Sequence, residues 1–161
     1  MEIQQINGGV SVKFLLTYDA YMSQEKMQEI CPSAKLILKC ILIDCQLVFR
    51  RFYETAALTL EQGEYKVPAI LWQLSKEELQ DMKIVYPKEI YHQIDICLKM
   101  KDENITANIF VMKETPIAYP REKELDLIEE AYGEHNFDYS CVENALDMAK
   151  DMEGENGTLY E

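Results

Sequence analysis

Val12-Lys13-Phe14-Leu15-Leu16-Thr17-Tyr18, followed at once by Asp19-Ala20-Tyr21-Met22, is the stretch on which the fold turns. A run of β-branched and aromatic residues that stops at polar ones reads as a strand entering a turn. Ser23 has the side chain to cap a short helix through about Ile30, and Cys31-Pro32 stops it. Working outward, Ala34–Phe49 is long and apolar with Asp44 interrupting it, which predicts one or two strands with a bend. Ala56–Leu60 reads as a short strand and Glu61-Gln62-Gly63-Glu64 as a turn. Val67–Leu74 is another strand, and its Pro68 marks an edge or a bulge, because proline cannot donate to a ladder.

Ser75-Lys76-Glu77-Glu78 is a capping box, so a helix runs from there to about Met82. Ile90–Met100 and Ile105–Met112, joined by the polar Lys101-Asp102-Glu103-Asn104, predict a hairpin. Pro120 suits the first turn of a helix with Leu125, Ile128 and Tyr132 on one face, and Gly133 can end it. A second amphipathic helix over Asp138–Met152 carries Val142, Ala145, Leu146 and Ala149 on its apolar side. The expected organisation is one domain over residues 1–152, with 153–161 as a frayed acidic tail. Strands mixed with short helices, then two helices, predict an α+β fold: a small, mixed, strongly bent sheet or barrel with flanking helices.

Composition narrows the function. The 161 residues are 48% hydrophobic and 28% charged, enough for one core without staples. No run reaches the roughly 18 apolar residues of a membrane helix, and Met1–Gln5 does not look like a signal peptide. Five cysteines, an odd number without a C-x-x-C pair, read as reduced thiols in a cytoplasmic protein. Two histidines, neither at ligand spacing from a cysteine, give no metal site. Phosphate-binding, dinucleotide and hydrolase signatures are absent, so no cofactor is expected.

The net charge of −13 is uneven: Lys113–Glu161 holds four basic and fourteen acidic residues. That balance argues against nucleic acid, whose phosphates require Lys and Arg. It fits either a solvated helix face or a surface for a basic protein partner.

The order of the segments resembles the γ-glutamyl cyclotransferase-like family across about residues 12–150. Leu15–Met22 stands where that family has a strand ending in Y-G-S-N-[LM]. Leu47-Val48-Phe49-Arg50 is similar to its L-x-F-R, and Gly63 to Trp72 to its G-x-x-V-x-G-x-L-W. Ala107–Met112 is similar to its A-x-x-Y-x-M strand, and Ile128–Tyr132 with Phe137-Asp138 to its I-x-x-G-Y … F-D ending. The resemblance implies a site in which the G-S-N loop amides hold the carboxylate of a γ-glutamyl group. A glutamate base deprotonates the substrate amine, which then closes 5-oxoproline.

Both parts are altered here. The loop positions carry Asp19, Ala20 and Tyr21. In an ungapped count from Trp72 the base position falls on Tyr86, and in a shifted register on Ile84; neither is a carboxylate. A phenol of pKa about 10 is a poor base at neutral pH. Leu125 stands near where the family often has a substrate-contacting tyrosine. The candidate ligand-binding residues are therefore Tyr18, Asp19, Ala20, Tyr21, Met22 and Tyr86, with Tyr91 as a further aromatic wall. Asp19 reads equally as a remodelled ligand contact or as a surface turn residue. The expected function is a catalytically defective domain that binds a small metabolite or a protein. Two alternatives stand beside it: an active cyclotransferase with a relocated carboxylate, Glu89, and an acidic inhibitor or mimic that binds a basic partner.

Overall fold

The computed structural model describes residues 12–160, with side chains as far as residue 152. Its strands are β1 (Val12–Thr17), β2 (Lys35–Phe52), β3 (Thr55–Gln62), β4 (Tyr65–Ser75), β5 (Tyr91–Lys99) and β6 (Asn104–Met112). Its helices are α1 (Gln24–Ile30), α2 (Lys76–Asp81), α3 (Glu122–Glu134) and α4 (Ser140–Tyr160), with short 3-10 turns at Ala20–Met22 and Met82–Ile84. The six strands form one sheet in the order β3-β2-β4-β1-β6-β5. β1 and β6 are parallel and the other pairs antiparallel, so the sheet is mixed as the sequence predicts.

The long apolar segment becomes a single strand with a bend. β2 pairs with β4 through Lys35–Cys45 and with β3 through Cys45–Phe52. Its register slips between Leu42 and Cys45, where Asp44 sits at φ 56°. Aspartate tolerates this left-handed backbone better than most residues, and the bulge turns the strand. β2 also runs three residues past the expected end at Phe49, because Tyr53-Glu54 closes a two-residue hairpin with Tyr53 at φ 55°. Gly63 follows β3 where a Cβ would lie 2.8 Å from the Gln46 side chain, so the strands approach too closely there for a larger residue.

Bending brings distant strands together. Thr59 on β3 accepts the Met112 N–H of β6 at 2.8 Å, although three strands separate them in the sheet. Beside β2, the Ala118 N–H donates to the Phe49 carbonyl and the Arg51 N–H to the Pro116 carbonyl. The result is a strongly curled half-barrel. β4 is central rather than an edge, but Pro68 lies beyond its last β1 partner, Ile70, so β1 does not flank it there.

Trp72, Phe49, Leu15, Leu16, Ile70 and Leu71 are fully buried in the curl. α3 buries Ile128 and Tyr132, and α4 buries Val142, Ala145 and Ala149, as their spacing predicts; Leu125 and Leu146 are only partly buried against the core, and Ala131 is buried as well. Pro120 lies one residue before Arg121, the α3 N-cap, rather than inside the first turn. Gly133 does not end α3. Asn136, at φ 56°, does, with the Phe137 N–H on the Tyr132 carbonyl and the Asn136 N–H on the Gly133 carbonyl. The α4 backbone continues past Met152 into the stretch read as a tail; Glu161 lies outside the described residues. No helix among the described residues is long and apolar enough to cross a membrane.

The α2 capping box is complete, since Ser75 and Glu78 exchange hydrogen bonds of 3.1 Å. Glu78 also accepts from the Ser33 hydroxyl at 2.6 Å and the Ser33 N–H at 2.9 Å, tying α2 to the turn before β2. Burial alone would raise this carboxyl, but the hydrogen bonds it accepts from Ser33 and Ser75 outweigh it and hold it below the usual range. Its stabilising effect is therefore present above the unfolded glutamate pKa of about 4.3 and lost as pH falls through the lower folded value. Glu78→Ala is expected to cost about 1–3 kcal/mol at neutral pH in urea unfolding. The gap to the parent should shrink in acid; a constant gap would show that the carboxylate does not act through its charge.

Candidate functional site

β1 delivers the loop Tyr18–Met22, and its neighbours fix it. The Trp72 indole N–H donates to Thr17 Oγ1 at 2.8 Å, and the Thr17 hydroxyl donates to the Tyr21 carbonyl at 3.2 Å. The Tyr18 hydroxyl donates to the Phe110 carbonyl on β6. From the end of α3, His135 Nε2 meets the Met22 carbonyl oxygen at 2.7 Å, and the Tyr132 hydroxyl reaches the Tyr18 carbonyl at 3.5 Å.

Asp19 lies in extended backbone, φ −117° and ψ −154°, so its side chain is accommodated without left-handed strain. Its Oδ1 accepts the Tyr21 N–H at 3.0 Å and caps the 3-10 turn. Tyr86 arrives from the segment between α2 and β5. Its hydroxyl lies 2.8 Å from Asp19 Oδ2 and 3.0 Å from Oδ1, which places the proton between phenol and carboxylate. Tyr86 stacks on Phe110 with ring centroids 4.8 Å apart, which holds the phenol in place.

Both residues line a cavity of about 480 Å³. Tyr21, Tyr53, Tyr91 and Phe52 supply aromatic walls, and Ala56, Leu58 and Ile128 an apolar floor. A comparable groove of about 560 Å³ runs past Ile41, Ile43 and Phe137. The Asp19 cavity is the stronger site candidate, because there a carboxylate and several phenols with displaced pKa values converge. Burial raises the Asp19 carboxyl, and the hydrogen bonds from the Tyr21 N–H and the Tyr86 hydroxyl offset this only in part. Burial, then the Asp19 charge, pushes the Tyr86 phenol well above its usual range. The same two causes lift Tyr91, and they take Tyr21 up to about 12.

Asp19, Ala20, Tyr21, Tyr86 and Tyr91 thus meet at one place. Tyr18 and Met22 are buried behind the loop and do not line it. Of the two positions that could correspond to the family's base, Tyr86 and Ile84, both line the cavity. Leu125 does not; its neighbours Glu124, Leu127 and Ile128 do. Glu89 is exposed and outside the cavity, because the turn closed by the Ile90 and Tyr91 N–H groups on the Pro87 carbonyl carries it away.

Sequence reasoning missed a polar wall at the start of α3. The Arg121 N–H donates to Thr55 Oγ1 at 2.9 Å, and Arg121 Nε donates to Glu124 Oε1 at 3.0 Å. Burial raises the Glu124 carboxyl, yet hydrogen bonds from Thr55 and Arg121 outweigh it and lower the pKa. The Arg-x-x-Glu spacing at a helix start was the available signal. Burial pushes the Cys31 thiol up to about 12 and Cys40 to about 11, and raises Cys45 and Cys141, so none of these four is an activated nucleophile; Cys97 is exposed and does not line the cavity. No group of three or more His, Cys, Asp or Glu among the described residues could hold a metal ion.

By sequence, the chain matches no family model and no curated protein. By structure it is similar to a γ-glutamyl cyclotransferase, with a TM-score of 0.69 and 18% identity over 77% of this chain and 80% of that one. It is also similar to the uncharacterized protein loc79017 from Homo sapiens, at TM-score 0.67 and 19% identity over 76% and 79% of the two chains. A third, YkqA from Bacillus subtilis, gives 0.64 at 13% identity over 94% of this chain and 59% of that one. The fold is therefore γ-glutamyl cyclotransferase-like.

A carboxyl whose folded pKa is raised binds more protons in the native state between its unfolded value, about 3.9, and its folded one. Stability is then lost as pH rises through that window. Asp19→Asn removes the titrating group, so its stability should gain on the parent from about pH 4 upward. Urea unfolding across that range checks it; parallel pH profiles would contradict the raised value.

Proposed function

We propose that this domain binds a small ligand in the Asp19 cavity and does not close 5-oxoproline. The observation that carries this reading is the hydrogen bond from the Tyr86 hydroxyl to the Asp19 carboxylate. It joins the two segments that the resemblance identifies with substrate loop and catalytic base, and neither keeps the implied chemistry. Tyr86 holds its proton far above neutral pH, so it does not serve as a base. The Tyr21 N–H, which would face a substrate carboxylate, is taken by Asp19 of the same loop. The Asp19 charge itself repels a second carboxylate at short range. What persists is a cavity of ligand size on a scaffold held by its core, since core and chemistry are separable.

A second reading has one observation in its favour. Asp19 is a carboxylate of raised pKa in the cavity, so it, rather than Glu89, would be the relocated base of an active enzyme. The acidic segment from Lys113 onward is read as a solvated face; steeply salt-dependent binding to a basic protein would instead make it an interface.

The decisive assay is pyroglutamate release from γ-glutamyl peptides and γ-glutamyl amines. Release at the rate of a protein-free blank is expected. Turnover abolished by Asp19→Asn would establish the second reading in its place.

A further inference from the structure

We infer that the Asp19 cavity selects an organic cation, an alkyl or quaternary ammonium group, and this rests on the reading of the cavity as a binding site. The first ground is the state of the carboxylate. It has about four acceptor positions. The Tyr21 N–H, the single Tyr86 hydroxyl proton and the backbone N–H of Asp19 itself take up to three, and none of these donors carries a charge. No lysine or arginine nitrogen of the described residues comes within ion-pair distance of it. Lys26 acts on it only at longer range and lies over the Tyr21 ring, 5.2 Å from the centroid. Arg121, the other cation of the wall, is paired with Glu124. Asp19 is thus a half-buried carboxylate hydrogen-bonded by neutral donors but without a cation in contact, and such a group gains from an incoming positive charge.

The second ground is independent of Asp19. The aromatic walls form a continuous edge-to-face chain: Tyr21 to Tyr86 at 5.9 Å, Tyr86 to Tyr91 at 5.0 Å, Tyr91 to Phe52 at 6.0 Å and Phe52 to Tyr53 at 4.8 Å between centroids. All five rings line the cavity. Ring faces attract cations, and several rings around one space recognise alkylammonium groups. The apolar floor of Ala56, Leu58 and Ile128 accepts the attached hydrocarbon. An anionic ligand would meet the Asp19 charge, and a neutral one would leave that charge unmatched.

The test is an NMR titration of the full chain at constant ionic strength with two pairs of probes. Choline is set against 3,3-dimethylbutan-1-ol, its neutral carbon isostere, and n-butylammonium against butan-1-ol. Each cation should bind about tenfold more tightly than its neutral partner, with shifts at Tyr21, Tyr86 and Tyr91. Asp19→Asn should reduce that preference severalfold, leaving only the share due to the rings, while a thermal melt shows it folded. Should that variant not fold, Tyr91→Leu should weaken the cations more than the alcohols. Equal binding of cation and alcohol overturns the cation preference and leaves the cavity a binding site. Silence of these residues towards all four probes overturns the inference outright. Pyroglutamate release, by contrast, bears on the inert-site reading alone.

Discussion

The Asp19 carboxylate and the Tyr86 phenol share a proton-donating contact inside a cavity walled by aromatic rings. Each group alone would be costly there, since a buried carboxylate without donors and a buried hydroxyl without an acceptor both lose their hydration. Together they satisfy part of each other's need. The pair also links the loop after β1 to the segment before β5, so the mouth of the cavity has a defined shape. Its electrostatic consequence is that a carboxylate stands among the aromatic walls of the cavity.

That arrangement is possible because the scaffold below does not depend on it. Trp72 and Thr17 hold the loop from the sheet, and His135 and Tyr132 hold it from α3. None of these bonds uses the side chain at position 19. The left-handed backbone in this chain lies elsewhere, at Asp44, Tyr53 and Asn136, where it bends β2, closes the hairpin and ends α3. Residue 19 sits in extended backbone, so an aspartate stands there without straining the chain.

Much of the fold was legible in the sequence because local signals agreed with the tertiary structure. The Ser75 capping box, the Ser23 cap, the hairpin over Ile90–Met112 and the apolar faces of the last two helices all appear where periodicity and caps placed them. What remained hidden was non-local. Nothing in Pro68 announces a central strand, because its tolerance depends on where β1 stops. Asn136 displaced Gly133 as the end of α3 because the left-handed residue is chosen by the pairing of Phe137 with Tyr132. In the site, Asp19 and Tyr86 stood out individually, but their contact across 67 positions, and the Arg121–Glu124 wall opposite, required the folded chain.

A double-mutant cycle with Asp19→Asn, Tyr86→Phe and the combined variant, followed by urea unfolding at neutral pH, measures the contact between the two side chains. A coupling energy of about 0.5–3 kcal/mol is expected for a part-buried hydrogen bond between a charged acceptor and a phenol. Strict additivity of the two substitutions would mean that the carboxylate and the phenol do not interact, and the cavity's chemistry would have to be explained without them.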